Sequence, residues 1–317
     1  MVDETKTLLK IAYYYYKDGL TQQEIAKKLS VSRQKVNRCI KRLLAEGLVT
    51  IEIAKIEGSY EEMENYLERL LGLKRVVIAH VENEQSIIEQ IGKAGAQYVM
   101  ENMANGLRVG VSWGKTLHRV GGYLSDKRKE NVEVIQLIGG VNSIIVADMT
   151  NEITRLFATG LQAIPHYIHA PAIVKNKKLR ESILKEESIR IVLEKIDECH
   201  MAVVGIGELG SDSTIYGQSY VDQAHSNYLH DQKAVGDICL HMFDKQGRFI
   251  GEDMDHYSIG VGLDQLMNIP QVIAVAGGVE KVSAILGAIR TGVIDVLVTD
   301  SISASLLCKA VNSKGVN

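Results

Sequence analysis

What this 317-residue chain lacks narrows its function before any motif is read. No apolar run approaches the roughly 20 residues that span a bilayer. The opening MVDETKTLLK shows no signal-peptide pattern. A cytoplasmic protein without a membrane partner is therefore expected. The four cysteines, Cys39, Cys199, Cys239 and Cys308, are scattered and form no C-x-x-C pair, which argues against a disulfide framework or a zinc cluster. H-E-x-x-H does not occur. His166 and His169 are three apart, with no carboxylate or thiol spacing to complete a metal site, and GEDMDHY (251–257) is an acidic turn without supporting ligands. No metal, cofactor or catalytic residue is assigned on these grounds.

Two glycine motifs come close to nucleotide signatures. GVSWGKTL (110–117) places three residues between Gly110 and Gly114, where a phosphate loop of nucleotide hydrolases needs four. Its glycines, Lys115, Ser112, Thr116 and a helix start still suit an anion. GIGELG (205–210) satisfies G-x-G-x-x-G after a strand, but Ser211-Asp212-Ser213 opens no convincing helix, so the dinucleotide reading is weak.

Charge is unevenly spread. Residues 1–56 carry eleven Lys/Arg against six Asp/Glu, whereas the remainder is acidic. A small basic head on an acidic body points to an anionic partner for the head. Within it, apolar spacing predicts helices over 5–17, about 22–29, and from Arg33 to about residue 45. Thr21 and Glu24 form a capping-box pattern, Ser32 caps the third helix, and Gly47 closes it. The third helix should bury Val36, Ile40, Leu43 and Leu44, and VTIEI (49–53) reads as a short strand. This is a winged helix-turn-helix pattern. Arg33, Gln34, Lys35, Asn37, Arg38 and Lys41 then face DNA, with Thr21, Gln22, Gln23 and Ser32 near backbone phosphates. A solvated basic face on a protein-binding bundle is the alternative. One head reads few base pairs, so a homo-oligomer is implied.

The body, residues 57–317, begins with a linking helix over 57–74 whose stripe is Tyr60, Met63, Tyr66, Leu67, Leu70 and Leu71. Strand-like runs follow at 76–81, 107–113, 132–140, 202–207, 237–243, 272–278 and 295–300. Helical runs fall at 86–104, 115–125, 151–163, 280–291 and 301–310. This alternation predicts a mostly parallel α/β sheet, with ligand beyond its carboxyl edge. Effector candidates there are Gly110, Ser112, Trp113, Gly114, Lys115, Thr116, Gly277, Gly278 and Lys281, plus Asn151 at a helix start and Asp237 at a strand start. Two lysines for an anion and polar groups for hydroxyls suit a sugar phosphate, a sugar or a small organic acid. Each lysine could equally be solvated, and Asp237 could merely cap.

LTQQEIAKKLSVSRQKVNRCIKRLLAEGLV, VGVSWGKTL, NEITRLFA, Pro171-Ala172, AVGDICLHMFDKQGRFI and VIAVAGGVEKVSAILGAIRTGVIDVLVTDSISA together resemble the SorC-type sugar-binding transcriptional regulators over nearly the whole chain. The resemblance implies a body similar to sugar-phosphate isomerase and CoA-transferase folds that senses a phosphorylated sugar without catalysis, in a tetramer on operator DNA. It assigns phosphate to the Gly110–Thr116 loop and Lys281, and hydroxyls to Asp237. Ile138 is a departure, standing where phosphosugar-binding relatives can carry Arg or Asn. Two rivals remain at this stage. One is a sugar-phosphate isomerase or transferase using Glu208, Asp237 or Asp264 as base. The other is an oligomerisation platform with a vestigial pocket.

Overall fold

The computed structural model describes residues 2–52, 59–125, 129–140, 147–209, 228–251 and 257–312. The chain divides into two compact units, Met1–Glu57 and Gly58–Asn317.

In the first unit, α1 (Val2–Ala12), α2 (Gln22–Lys28) and α3 (Arg33–Ala45) enclose a core of Leu8, Ile11, Ile25, Val36, Ile40 and Leu43. The helix expected over 5–17 changes character at Tyr13: Tyr13–Lys17 is a π-turn, closed by the Asp18 N–H donating to the Tyr13 carbonyl. This wider turn lets the consecutive Tyr14, Tyr15 and Tyr16 all pack against the core. Thr21 and Glu24 form the expected capping box, and Ser32 accepts from the Lys35 N–H. Leu44 departs from expectation. It is 42 % exposed, because Leu43 already fills the inward position of that turn. No strand forms over 49–52. The Val49 N–H instead turns back to the Leu43 carbonyl, and the run has no neighbouring strand to pair with among the described residues. Ile53 lies outside them.

The second unit opens with α4 (Glu61–Leu71), shorter than the 57–74 expected and stopped by Gly72 in the left-handed region, φ 70°. It packs on β1 (Arg75–Ala79), at the margin of the main sheet. The Val76 and Ile78 N–H groups donate to Glu68 Oε1 at 3.0 Å and Glu64 Oε1 at 2.8 Å. Carboxylates thus occupy amides that would otherwise template another strand.

The main sheet comprises seven parallel strands in the order β1-β11-β10-β5-β2-β3-β4. Its members are β1, β2 (Arg108–Val111), β3 (Glu133–Gln136), β4 (Ile164–His166), β5 (Met201–Val204), β10 (Val272–Val275) and β11 (Val296–Asp300). Alternation assigns its two faces. Val134, Val203, Val275 and Val298 bury against α5 (Ile87–Glu101), α6 (Lys115–Tyr123) and α7 (Ala147–Leu161). Ala202, Val204, Ala274 and Leu297 face the layer containing α4, α9 (Glu187–Ile196), α11 (Val282–Arg290) and α12 (Ser301–Asn312). α8 (Lys177–Leu184) precedes α9, and α10 (Leu263–Asn268) precedes β10. Burial on both faces is what continuous Val/Ile runs require.

The run 237–243 is not one strand. It is a hairpin of β7 (Ala234–Ile238) and β8 (His241–Asp244), turned by Cys239 and Leu240 at φ 53° and 71°. With β6 (Gly207–Glu208) and β9 (Phe249–Ile250) it makes a second, antiparallel sheet.

Candidate functional site

In the head, Arg33, Gln34, Lys35, Asn37, Arg38 and Lys41 are all exposed on α3, opposite the buried Val36–Ile40–Leu43 stripe. Gln22 is half-buried and Gln23 exposed in the first turn of α2. The Thr21 hydroxyl is engaged twice with Glu24, accepting its N–H and donating to its carboxylate. Thr21 therefore holds the helix start, and its hydroxyl has no spare proton for a phosphate. Ser32 keeps its hydroxyl proton while its oxygen caps α3.

In the body, β2 and β5 are neighbours whose connections leave in opposite directions. From β2 the chain proceeds to β3 and β4, and from β5 it proceeds to β10 and β11. A crevice must open at the carboxyl ends of such a pair. Ser112 spans it, with Oγ accepting the Gly205 N–H at 3.2 Å. The chain's single tryptophan, Trp113, packs against the apolar clusters of both faces, so it sits on the crest of the sheet.

Gly114 follows at φ 128°, ψ 157°, a region open essentially to glycine alone, and nothing lies within 4 Å of where its Cβ would be. It starts α6 without a side-chain cap, so the first amides of α6 are available to an anion. Across β5, Gly278 repeats this corner at φ 113°, ψ 141° before a 3-10 turn, Val279–Lys281, and α11. The two corners differ chemically. The Gly278 N–H is committed to Asp300 Oδ2 and Ser303 Oγ, and the side chain of Glu280 folds back over it.

Lys281 is pulled inward. Its Nζ donates to the Ile206 carbonyl at 3.1 Å, and burial pushes its pKa down, against the nearby carboxylates of Glu280, Asp237 and Glu208. Lys115 acts on it as a like charge, so the two lysines converge on the crevice, one exposed and one half-buried. Asp237 is buried beneath them. Its Oδ2 accepts the Leu240 N–H at 3.1 Å, and burial raises its pKa to about 6, against the opposing pull of Lys281 and His241. It stands fourth in β7, not at a strand start as expected, and faces Gly207, which has no Cβ to obstruct it. Cys239 in the same hairpin is buried, hydrogen-bonded to Ser112, and has its thiol pKa pushed up.

Three other expectations change. Gly110 lies inside β2, paired with Ile135 and Ala202, where a Cβ would strike Leu137 Cδ2 at 2.7 Å; it serves packing, which leaves 112–116 of the expected anion loop. Asn151 is not at a helix start, since α7 begins at Ala147; it is exposed one turn in. Gly277 is buried, with its missing Cβ making room for the Asp300 carboxylate. Ile138 is buried in the core and bridged to Gly260. GIGELG does not open a helix at its second glycine: Gly207-Glu208 is strand β6, and Gly210 lies outside the described residues. So do residues 252–256 of the acidic turn. Among the described residues, no group of three His, Cys, Asp or Glu is arranged to hold a metal, and no helix is long and apolar enough to cross a membrane. Asp264, one of the possible bases, is exposed on α10, while Glu208 and Asp237 belong to the crevice.

A three-helix DNA-reading head and a parallel α/β body with a polar crevice at its switch point define a ligand-responsive transcriptional regulator. Comparison with known proteins gives the family. Residues 9–50 match the winged helix-turn-helix DNA-binding model, and residues 56–309 match the sugar-binding domain model. The chain belongs to the SorC-type sugar-binding transcriptional regulators. It is 30 % identical to the deoxyribonucleoside regulator of Bacillus subtilis, over 96 % of this chain and 99 % of that protein. It is 28 % identical to the sorbitol operon regulator of Klebsiella pneumoniae, over 97 % and 99 %. The crystal structure of the full-length Klebsiella regulator, SorC, superposes with a TM-score of 0.74, covering 96 % of this chain and 98 % of that one. These relatives are transcriptional regulators, not enzymes, which removes the isomerase reading.

Trp113 supplies a reporter. Because it is the sole tryptophan and borders Gly114, a ligand in the crevice is expected to change intrinsic fluorescence at 295 nm excitation in proportion to occupancy. A saturating ligand that leaves the emission unchanged would put the binding site elsewhere.

Proposed function

We propose that this chain is a cytoplasmic, homo-oligomeric repressor or activator that reads operator DNA through α3, and that a sugar phosphate in the β2/β5 crevice changes its operator affinity. The observation carrying the effector reading is the convergence of Lys115 and Lys281 on one strand end, beside the uncapped start of α6. Helix amides and two ammonium groups suit a phosphate. Asp237 and Glu208 beside them suit hydroxyls, as acceptors or, for Asp237 near its raised pKa, as a donor. A phosphate and a polyol in one molecule satisfy both sets. The relatives named for deoxyribonucleosides and sorbitol support a carbohydrate-related effector.

Coupling to the head has a physical route. α4 runs antiparallel to β1, so its first turn lies at the carboxyl edge of the sheet, the edge that holds the crevice. There the Tyr60 hydroxyl and His80 Nδ1 share a hydrogen bond of 2.7 Å. In sequence, Tyr60 follows the division between the two units by three residues. A ligand that favours one arrangement of this edge shifts the equilibrium only by its differential affinity. A coupling of about 1–3 kcal/mol changes operator affinity roughly 5–150-fold.

The test is operator binding by anisotropy with and without each of a panel of pentose and hexose phosphates, free sugars and organic acids. One phosphate ester must change the affinity, and Lys115→Ala must shift that response to higher ester concentration. In the same assay Arg33→Ala is expected to cost about 1–3 kcal/mol and to relax preference at one base pair. Uniform weakening on every sequence would reassign Arg33 to phosphate, and unchanged binding would remove it from the interface.

A further inference from the structure

β3 ends in a buried polar side chain that the β2/β5 crevice does not use. Gln136 is 2 % exposed, and its Oε1 accepts the Ile168 N–H at 2.8 Å. Only the oxygen end of an amide can meet an N–H, so the orientation of this side chain is fixed. Its Nε2 is held away from Ile168 and has no hydrogen-bond partner among the described residues. Thr150, 3 % exposed in the first turn of α7, likewise has an Oγ1 without a partner among the described residues.

The fold puts these two groups at one place. Gln136 follows Val134 by two residues, so it leaves the same face of the sheet. Val134 shares an apolar cluster with Ile153 and Phe157 of α7. Thr150 precedes Ile153 by three, on the same side of α7 and nearer its N-terminus. Both groups therefore crown the layer between β3 and α7, at the carboxyl edge of the sheet. Gln136 is also the register partner of Val111, the residue before Ser112. One strand spacing, about 4.8 Å, separates it from the β2 corner, within the reach of a pentose or hexose phosphate held there. Among the described residues Thr299 Oγ1, on β11, is a third buried polar group without a partner, but no second such group sits beside it.

We propose that the Gln136 amide and the Thr150 hydroxyl form the far end of the effector crevice, a subsite for one hydroxyl or carbonyl oxygen of the sugar. A sugar hydroxyl accepts from Nε2 and donates to Oγ1, and a carbonyl oxygen accepts from both. The subsite rests on the preceding assignment of the phosphate end to the start of α6. It also gives a reason for burying two polar groups without protein partners, an arrangement that otherwise only destabilises.

The test uses the full chain and Thr150→Val, which keeps the shape and removes the hydroxyl. Calorimetry with ribose 5-phosphate, glucose 6-phosphate, the two free sugars and inorganic phosphate is paired with thermal unfolding of the ligand-free protein. The variant is expected to bind the preferred sugar phosphate about tenfold more weakly and to bind inorganic phosphate unchanged. Its ligand-free Tm should be equal or higher, and Thr150→Ser should restore affinity. A lower Tm with unchanged sugar-phosphate affinity would show a hydroxyl serving the fold, and would overturn the subsite. Lys115→Ala separates the two ends. If it spares inorganic phosphate binding, the phosphate assignment fails on its own. If a free sugar binds, is weakened by Thr150→Val and is indifferent to Lys115→Ala, the subsite stands without it. Binding of no sugar or sugar phosphate by the wild type overturns both.

Discussion

Lys281→Met is expected to bind the sugar-phosphate effector roughly 10–150-fold more weakly, the value of one charge-assisted hydrogen bond of about 1.5–3 kcal/mol, while operator affinity without effector stays at the wild-type level. The ammonium group is half-buried and tethered to the Ile206 carbonyl by its own Nζ, so it is preorganised just beyond the end of β5. Methionine keeps the length and apolar volume of the stem. It also removes a cation whose pKa burial already depresses, so a stability loss large enough to unfold the body is not expected. Lys115→Ala should have a smaller effect on affinity, since that side chain is exposed and pays ordering entropy on binding. Calorimetry for effector and anisotropy for operator decide the matter. A full effector response in Lys281→Met would remove the residue from the site, and a loss of basal operator binding would make it structural.

The fold was legible where one physical signal dominated. Helix caps at Thr21 and Ser32, the Val/Ile runs of β5, β10 and β11, and the Gly or Asp at their ends all led to the observed elements. It was not legible where a short turn hides in an apolar run. Cys239 and Leu240 carry no glycine or asparagine to announce a hairpin, yet both adopt positive φ. The Asp237 carboxylate holds this turn through the Leu240 N–H, a contact invisible to periodicity. Elements with weak patterns, such as α8, α10 and the three-residue β4, gave no signal strong enough to place them.

In the candidate site, Ser112, Gly114, Lys281 and Asp237 could be named because chemistry-bearing residues next to strand ends are conspicuous. Glycine misled elsewhere. Gly110, expected at the ligand, leaves room for Leu137 and answers to close packing, as Gly121 and Gly160 do for Leu156 and Leu124. Gln136 was passed over because it looks like one polar residue in the run VIQLIGG. Ile138 drew attention as the departure from the family pattern, but its side chain is in the core. The polar group at this edge lies two residues earlier. Only its burial and hydrogen bonding distinguish it, and neither is encoded in spacing.

Asp237→Asn should show the second large effect, with opposite signs for stability and function. The carboxyl has a folded-state pKa of about 6, raised by burial above the ordinary aspartate value. Between those two values the folded protein holds a proton that the unfolded chain has released. Stability contributed by this group is therefore fully present at pH below about 4, declines as pH rises through about 6, and is constant above that. A shift of this size corresponds to about 3 kcal/mol, already net of the attraction between Asp237 and Lys281. The asparagine variant is thus expected to be more stable than wild type by on the order of 3 kcal/mol at pH 7.5 and equal to it at pH 4, measured by urea unfolding at both. Effector affinity should fall at least tenfold at pH 7.5, because a buried acceptor for sugar hydroxyls has become half donor. Lys281→Met should raise the Asp237 pKa further, since the nearest opposing cation is gone, which moves the midpoint of the pH-dependent stability upward. Equal stability of Asp237→Asn and wild type at both pH values would mean that the carboxylate is compensated in the folded state, and the crevice would then carry a full negative charge opposite its two lysines.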